Sequence, residues 1–191
     1  MAEKVVFLDI DGVLQPFTQY RFEHIDDGDM EAVYEELKDK TGVDYTQYDI
    51  YDVAAVYYDW HLGAVSELKR VLDATGAKIV LSSSWRDEDN TRMRDLFRIH
   101  DLDEYFLDRT VILEYTSDLS HYKAVLNLTD DKYWETRTVE ILYYLHEHPE
   151  VKAYVAVDDL RLDGLEKHFV KTSNKLTPEL ADECIRVLEE Q

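Results

Sequence analysis

The sequence predicts an α/β domain of three layers, α/β/α, with a mostly parallel sheet in the middle. Three observations predict it. Short apolar runs rich in β-branched and aromatic residues recur along the chain, as strands buried on both faces do. Amphipathic helical patterns alternate with these runs, which is the order of a parallel sheet covered on both sides. Three of the runs stop abruptly in carboxylates or hydroxyls, and the carboxyl ends of strands are where open α/β sheets bind ligands.

The first run is Lys4 to Leu8, followed by Asp9, Ile10, Asp11 and Gly12. Residues 15–58 then depart from the βα alternation. They are rich in Tyr, Asp and Glu, with one short acidic helix expected over Asp29 to Lys40 and closed by Gly42. Tyr57, Tyr58, Trp60 and His61 form an aromatic cluster at the end of this stretch, read as packing. Trp60 to Thr75 reads as an amphipathic helix ended by Gly76. Ala77 to Leu81 is a second strand, and it runs into Ser82, Ser83, Ser84, Trp85 and Arg86. Asn90 to Ile99 is helical, with Met93, Leu96 and Phe97 inward. A third strand is expected within Tyr105 to Glu114, with Thr110 to Leu113 as its apolar core. Tyr115 to Glu135 reads as loop with partial helix and Thr136 to His146 as helix. Val151 to Val157 is the fourth strand, with Asp158 and Asp159 directly after it, and Phe169 to Thr172 a short fifth. Thr177, Pro178 and Glu179 start a final helix as N-cap, first-turn proline and acidic first turn.

The 191 residues suffice for one substantial core, so residues 1–191 are read as a single domain, with 15–58 as a small insertion. The formal net charge of −21 repels polyanions and argues against a broad nucleic-acid surface or an anionic membrane as partner. A phosphate ester held in a local, metal-loaded cleft remains compatible with that charge. One cysteine, Cys184, rules out an internal disulfide and a cysteine-built metal site; its flanks place it on the buried face of the last helix. With no signal segment and no apolar run of membrane-spanning length, the chain is expected to be cytoplasmic.

Chemistry concentrates at the strand ends. Side chains alternate along a strand, so Asp9 and Asp11 leave it on the same side, and Gly12 lets the chain turn sharply beneath them. Like charges this close raise each other's pKa unless a cation intervenes, which points to a divalent metal, a phosphate or both. A hydroxyl at the end of the second strand can hydrogen-bond a phosphoryl oxygen without adding charge. Ser82 is the first candidate and Ser83 the alternative, because an error of one residue in the strand end changes the face. Asp158 and Asp159 repeat the pattern of an apolar strand ending in carboxylates. Arg86, Arg92, Arg94 and Arg98 read as a solvated helix face balanced by neighbouring acids, or else as an anion-steering cluster.

Phe7-Leu8-Asp9-Ile10-Asp11-Gly12-Val13-Leu14 resembles the first motif of the haloacid dehalogenase (HAD) superfamily, most of whose members are Mg²⁺-dependent phosphohydrolases on a Rossmann-like fold. Four further features are similar to the HAD domain family named after the "Swiss Army knife" RNA repair proteins. They are Ile79 to Arg86, Arg137-Thr138-Val139-Glu140-Ile141, the Asp158-Asp159 pair, and Leu176-Thr177 before the last helix. Asn174 and Lys175 depart from the glycine more usual there.

The resemblance implies Asp9 as nucleophile, Asp11 as acid and base, and Ser82 or Ser83 as phosphate ligand. It implies Mg²⁺ held by Asp9, the backbone carbonyl of Asp11, and Asp158, with Asp159 as ligand or water-bridged neighbour. It also implies a phosphate-site cation, Arg137 or alternatively Lys123, and a small cap formed by 15–58 or by part of 115–135. The expected function is a phosphomonoesterase working through an aspartyl-phosphate. Phosphorylated small molecules and nucleic-acid ends, 3′-phosphates among them, are both candidate substrates. The alternative is a catalytically silent acidic binding protein on the same fold.

Overall fold

The computed structural model describes residues 3–17, 29–87, 89–113, 118–129 and 133–191. Parts of the expected cap stretches, 18–28, 115–117 and 130–132, lie outside them. Five strands form one parallel sheet: β1 (Lys4–Leu8), β2 (Lys78–Leu81), β3 (Phe106–Arg109), β4 (Ala153–Asp158) and β5 (Phe169–Lys171). Their order is β3-β2-β1-β4-β5, so β1 is central and the chain reverses direction across it. Leu8 is in register with Leu81 on one side and with Val157 on the other. The residues after these three partners therefore emerge side by side, at the point where such sheets bind ligands.

Alternation along β1 divides the core. Val6 and Leu8 face one layer and Val5 and Phe7 the other. The first layer holds α1 (Asp29–Thr41), α3 (Leu62–Thr75), α4 (Asn90–Arg98) and α7 (Pro178–Glu189), whose inward residues include Leu37, Leu68, Phe97 and Cys184. The second is built on α6 (Thr136–Glu147), which supplies Ile141 and Tyr144, with α5 (Ser120–Leu126) packed beside it. Cys184 is buried and unpaired, and burial pushes its thiol up to about 12.

Most helix ends follow the local signals. Thr177 caps α7 through Leu180 N–H, and Gly76 closes α3 at φ +70°. Three of the aromatic cluster pack: Trp60 is buried, lies against Phe97 and stacks on His100, and Tyr57 and Tyr58 lie on the core, whereas His61 is exposed and caps α3. Residues 45–59 contain more structure than the sequence suggests. A 3₁₀ turn (Tyr45–Gln47), α2 (Ile50–Ala54) and a π-helical turn (Ala55–Asp59) follow one another. Together with α1 they share the main core, through Val33, Tyr45, Val53 and Val56. The Tyr45 and Tyr48 hydroxyls both donate to Asp95 on α4.

The third strand is a correction. It ends at Arg109, before the apolar residues expected to form its core. Among the described residues β3 is an edge strand paired only with β2, and Thr110 N–H makes its last bond to the Leu81 carbonyl. Beyond that point the backbone is taken by side chains: Arg86 binds the Val111 carbonyl and Glu140 accepts from Leu113 N–H. Among the described residues no helix is long and apolar enough to cross a membrane.

Candidate active site

β1 carries Asp9 to the carboxyl edge of the sheet, where its N–H still donates to the Val157 carbonyl at 3.0 Å. The chain then turns tightly, with Val13 and Leu14 N–H groups both on the Ile10 carbonyl. Gly12 sits at φ +72°, and a Cβ there would lie 2.7 Å from Asp159 Cβ. Glycine is thus required twice, for its dihedral and for its closeness to the turn after β4. Thr172, just past β5, ties the two turns together: its hydroxyl donates to the Gly12 carbonyl at 2.7 Å and its N–H to the Asp158 carbonyl at 3.0 Å.

Asp9, Asp158 and Asp159 offer carboxylate oxygens that all lie within 4.8 Å of one another. Asp9 and Asp158 are buried. Arg137, in the first turn of α6, reaches them with one nitrogen: Nη1 is 3.3 Å from Asp9 Oδ1 and 3.0 Å from Asp158 Oδ2, and it also donates to the Ser82 carbonyl. Burial pushes Asp158 up to about 7, the neighbouring Asp9 adds to the rise, and Arg137 opposes it. Burial likewise raises Asp9, against Arg137 and a hydrogen bond from Ser83. Burial also works against the charge on Arg137, but Asp9, Asp158 and Glu140 outweigh it and the guanidinium is held protonated. One cation is shared among several buried carboxylates, and the donors are all hard oxygens. That donor set fits Mg²⁺.

Asp11 is held differently. Its Oδ2 accepts from the Trp85 indole N–H at 3.1 Å, and its Oδ1 from Gln15 at 3.4 Å. The two candidate serines part company. The Ser83 hydroxyl bonds Asp9, whereas Ser82 Oγ is buried with no hydrogen-bond partner in the described structure. Of the two candidate cations, Arg137 meets both Asp9 and Asp158. Lys123 lies half-buried on α5, beside α6.

Arg86 corrects the sequence reading of the arginine cluster. Its side chain is buried, not on a solvated face, and pairs with Glu140 through two bonds of 2.7 and 3.2 Å. It also donates to the Thr110 hydroxyl and to the Val111 carbonyl at 3.0 Å. Glu140 Oε2 is 3.8 Å from Arg137 Nε, so the pair backs the arginine that contacts Asp9. Arg92 and Arg98 do follow the balanced reading, the first paired with Asp52 and Asp87, the second with Asp95 and Asp103. Trp85, Gln15 and Thr172 contribute without a sequence pattern that singles them out. The one available signal was the pairing of the Ser-Ser-Ser-Trp-Arg string with Arg-x-x-Glu-Ile.

The model of the family described as "HAD domain in Swiss Army Knife RNA repair proteins" matches residues 5–179. Neither a curated protein nor a solved structure matches the chain. The matched span runs from β1 into α7 and takes in every strand and every residue of the carboxylate cluster. The chain belongs to the HAD domain family of the Swiss Army Knife RNA repair proteins, and with it to the hydrolases of the HAD superfamily.

Proposed function

We propose that this hydrolase is a Mg²⁺-dependent phosphomonoesterase whose nucleophile is Asp9. One observation carries the reading: Asp9 and Asp158 share Arg137, while Asp11, two residues from Asp9, is held apart by Trp85 and Gln15. Two like carboxylates on one strand end thus have different partners, as two different chemical tasks require.

Asp9, Asp158 and Asp159, with the backbone carbonyl of Asp11, are the residues that would hold the metal. When bound, Mg²⁺ supplies charge that lets a phosphate dianion approach a carboxylate. An Asp9 oxygen attacks phosphorus as the ester P–O bond breaks, giving an aspartyl-phosphate. Asp11 gives its proton to the departing oxygen, then removes one from the water that attacks phosphorus and returns Asp9 as carboxylate. The Trp85 indole fixes the direction of Asp11 during both transfers. Arg137 and the unpaired Ser82 hydroxyl hold phosphoryl oxygens, and Ser83 orients Asp9. Residues 1–191 act in this reading as one domain.

The test is hydrolysis of an aryl phosphate with Mg²⁺ and with EDTA, by the wild type and by Asp9→Asn. Turnover that needs metal and disappears in the variant is expected. Activity that survives EDTA or the substitution would overturn the mechanism. The RNA-repair description of the family favours a second reading in which the ester is a nucleic-acid end. Against it stand the net charge of −21 and the carboxylate partners of Arg92 and Arg98.

A further inference from the structure

Beside Arg137 lies a cleft of about 380 Å³, within the size range of small-molecule sites. Its walls come from four places: Ser84 and Arg86 after β2, Ile112 and Leu113 after β3, Leu160 after β4, and Glu135, Thr136, Arg137 and Glu140 at the start of α6. Two of the few large apolar side chains that the described structure leaves exposed, Ile112 at 44% and Leu160 at 51%, converge on this one cleft from different loops.

Both are held there by the buried polar network. Leu160 N–H donates to Asp158 Oδ1 at 2.8 Å, so its side chain is placed relative to the carboxylate cluster. Ile112 lies between the Val111 carbonyl, bound by Arg86, and Leu113 N–H, bound by Glu140. Exposed apolar groups presented on a fixed backbone lose little freedom when a ligand covers them. Charge restricts what that ligand is. Arg86 is neutralised by Glu140, Arg137 by Asp9 and Asp158, and Glu135 adds a further carboxylate to the lining. A second anionic group would meet net negative charge there.

We infer that this cleft is the leaving-group subsite of the enzyme and takes an uncharged group with an apolar face, of nucleoside or aryl size. Ile112 and Leu160 set the specificity. The inference rests on the phosphomonoesterase reading and names its substrate class: monophosphates of such groups, in preference to bisphosphates and polyol phosphates.

The experiment compares kcat/KM for an aryl phosphate, a nucleoside monophosphate, glycerol phosphate and acetyl phosphate, in the presence of Mg²⁺. The wild type is expected to favour the first two over glycerol phosphate at least tenfold. Leu160→Asp and Ile112→Asp should lower the ratio of aryl phosphate to acetyl phosphate kcat/KM at least tenfold, chiefly through KM. Leu62→Asp alters a more exposed leucine outside the cleft and should leave that ratio at the wild-type value. An unchanged ratio in both cleft variants, or no wild-type preference, would overturn the subsite. If no ester is turned over, the phosphatase reading fails by itself, and equilibrium binding of the nucleoside monophosphate decides the subsite. Weaker binding to Leu160→Asp supports it, and equal binding overturns it.

Discussion

Arg86 and Glu140, 54 residues apart in the chain, meet as a two-bond ion pair with 6% and 2% of their side chains exposed. The pair fastens the exits of β2 and β3 to α6, and it stands directly behind Arg137. Removing one member of a buried pair leaves the other charge desolvated and unmatched, which costs about 3–5 kcal/mol. Glu140→Ala should lose stability of that order in urea denaturation. The double variant Arg86→Met/Glu140→Leu should recover much of the loss. Its catalysis should stay impaired, because Arg137 has lost its support. Equal stability of Glu140→Ala and the double variant would show that pairing is not what the two side chains contribute.

Gly12→Ala introduces a Cβ 2.7 Å from Asp159 Cβ, at a backbone angle of φ +72°. The backbone strain alone is worth about 1–3 kcal/mol. Relief requires the turn after β1 to part from the end of β4 and the turn that follows it, which carry Asp158 and Asp159, two of the three clustered carboxylates. The variant should stay folded with a lower melting temperature, and its Mg²⁺ affinity, read by calorimetry, should fall more than tenfold. Wild-type affinity would mean that the two turns move independently.

Asp158 by itself should make the metal-free protein less stable as pH rises towards neutrality. The Asp158 pKa is raised in the folded state from 3.8 to about 7, so the folded state binds the proton more tightly than the unfolded chain. Its contribution is fully present below about pH 4 and is lost as pH climbs through about 7. Mg²⁺ needs the deprotonated ligand, so its stabilising effect should grow over the same window. Thermal melts at pH 5 and pH 7.5, with and without Mg²⁺, should show the larger metal-induced rise at 7.5. Asp158→Asn should flatten the difference.

His100 works in the opposite sense. Burial beside Trp60 lowers its pKa, and its ring stays neutral with Nε2 on the Val56 carbonyl at 2.8 Å. Stability from this residue is present above pH 6.5 and is lost as pH falls below it, because the unfolded chain takes up the proton first. His100→Gln should cost more stability, relative to the wild type, at pH 7.5 than at pH 5. An equal loss at both pH values would move the effect to other groups.

The strands of the site were legible because β1, β2 and β4 are buried on both faces and so read as continuous apolar runs that stop at polar residues. Asp9, Asp11 and the Asp158 pair stand out for the same reason. Ser82 and Ser83 could not be separated, since the last ladder bond of β2 decides which hydroxyl meets Asp9, and that is a matter of tertiary register. The burial of the Arg86 side chain is hidden in the sequence because its neighbours Asp87, Glu88 and Asp89 suggest a solvated surface, while its partner Glu140 lies far along the chain on α6. Thr110 to Leu113 carry strand propensity, but at a sheet edge the side chains of Arg86 and Glu140 claim their backbone instead. The turns over residues 45–59 have neither period 2 nor a sustained period near 3.6; they are held by the Asp44 and Asp49 caps and by the Tyr45 and Tyr48 bonds to Asp95 on α4.

The central place of β1 has a consequence for the order of folding. Its two ladder partners are far along the chain: Val6 pairs with Ile79 on one side and with Val155 on the other. During synthesis the strand that bears Asp9 is made early, yet one of its edges stays open until about 150 further residues have been joined. Contacts this distant in sequence are slow to form, and an open apolar strand edge is where nascent chains pair wrongly. The carboxylate cluster therefore assembles among the last events of folding, so a chain arrested before β4 would have Asp9 but no site around it.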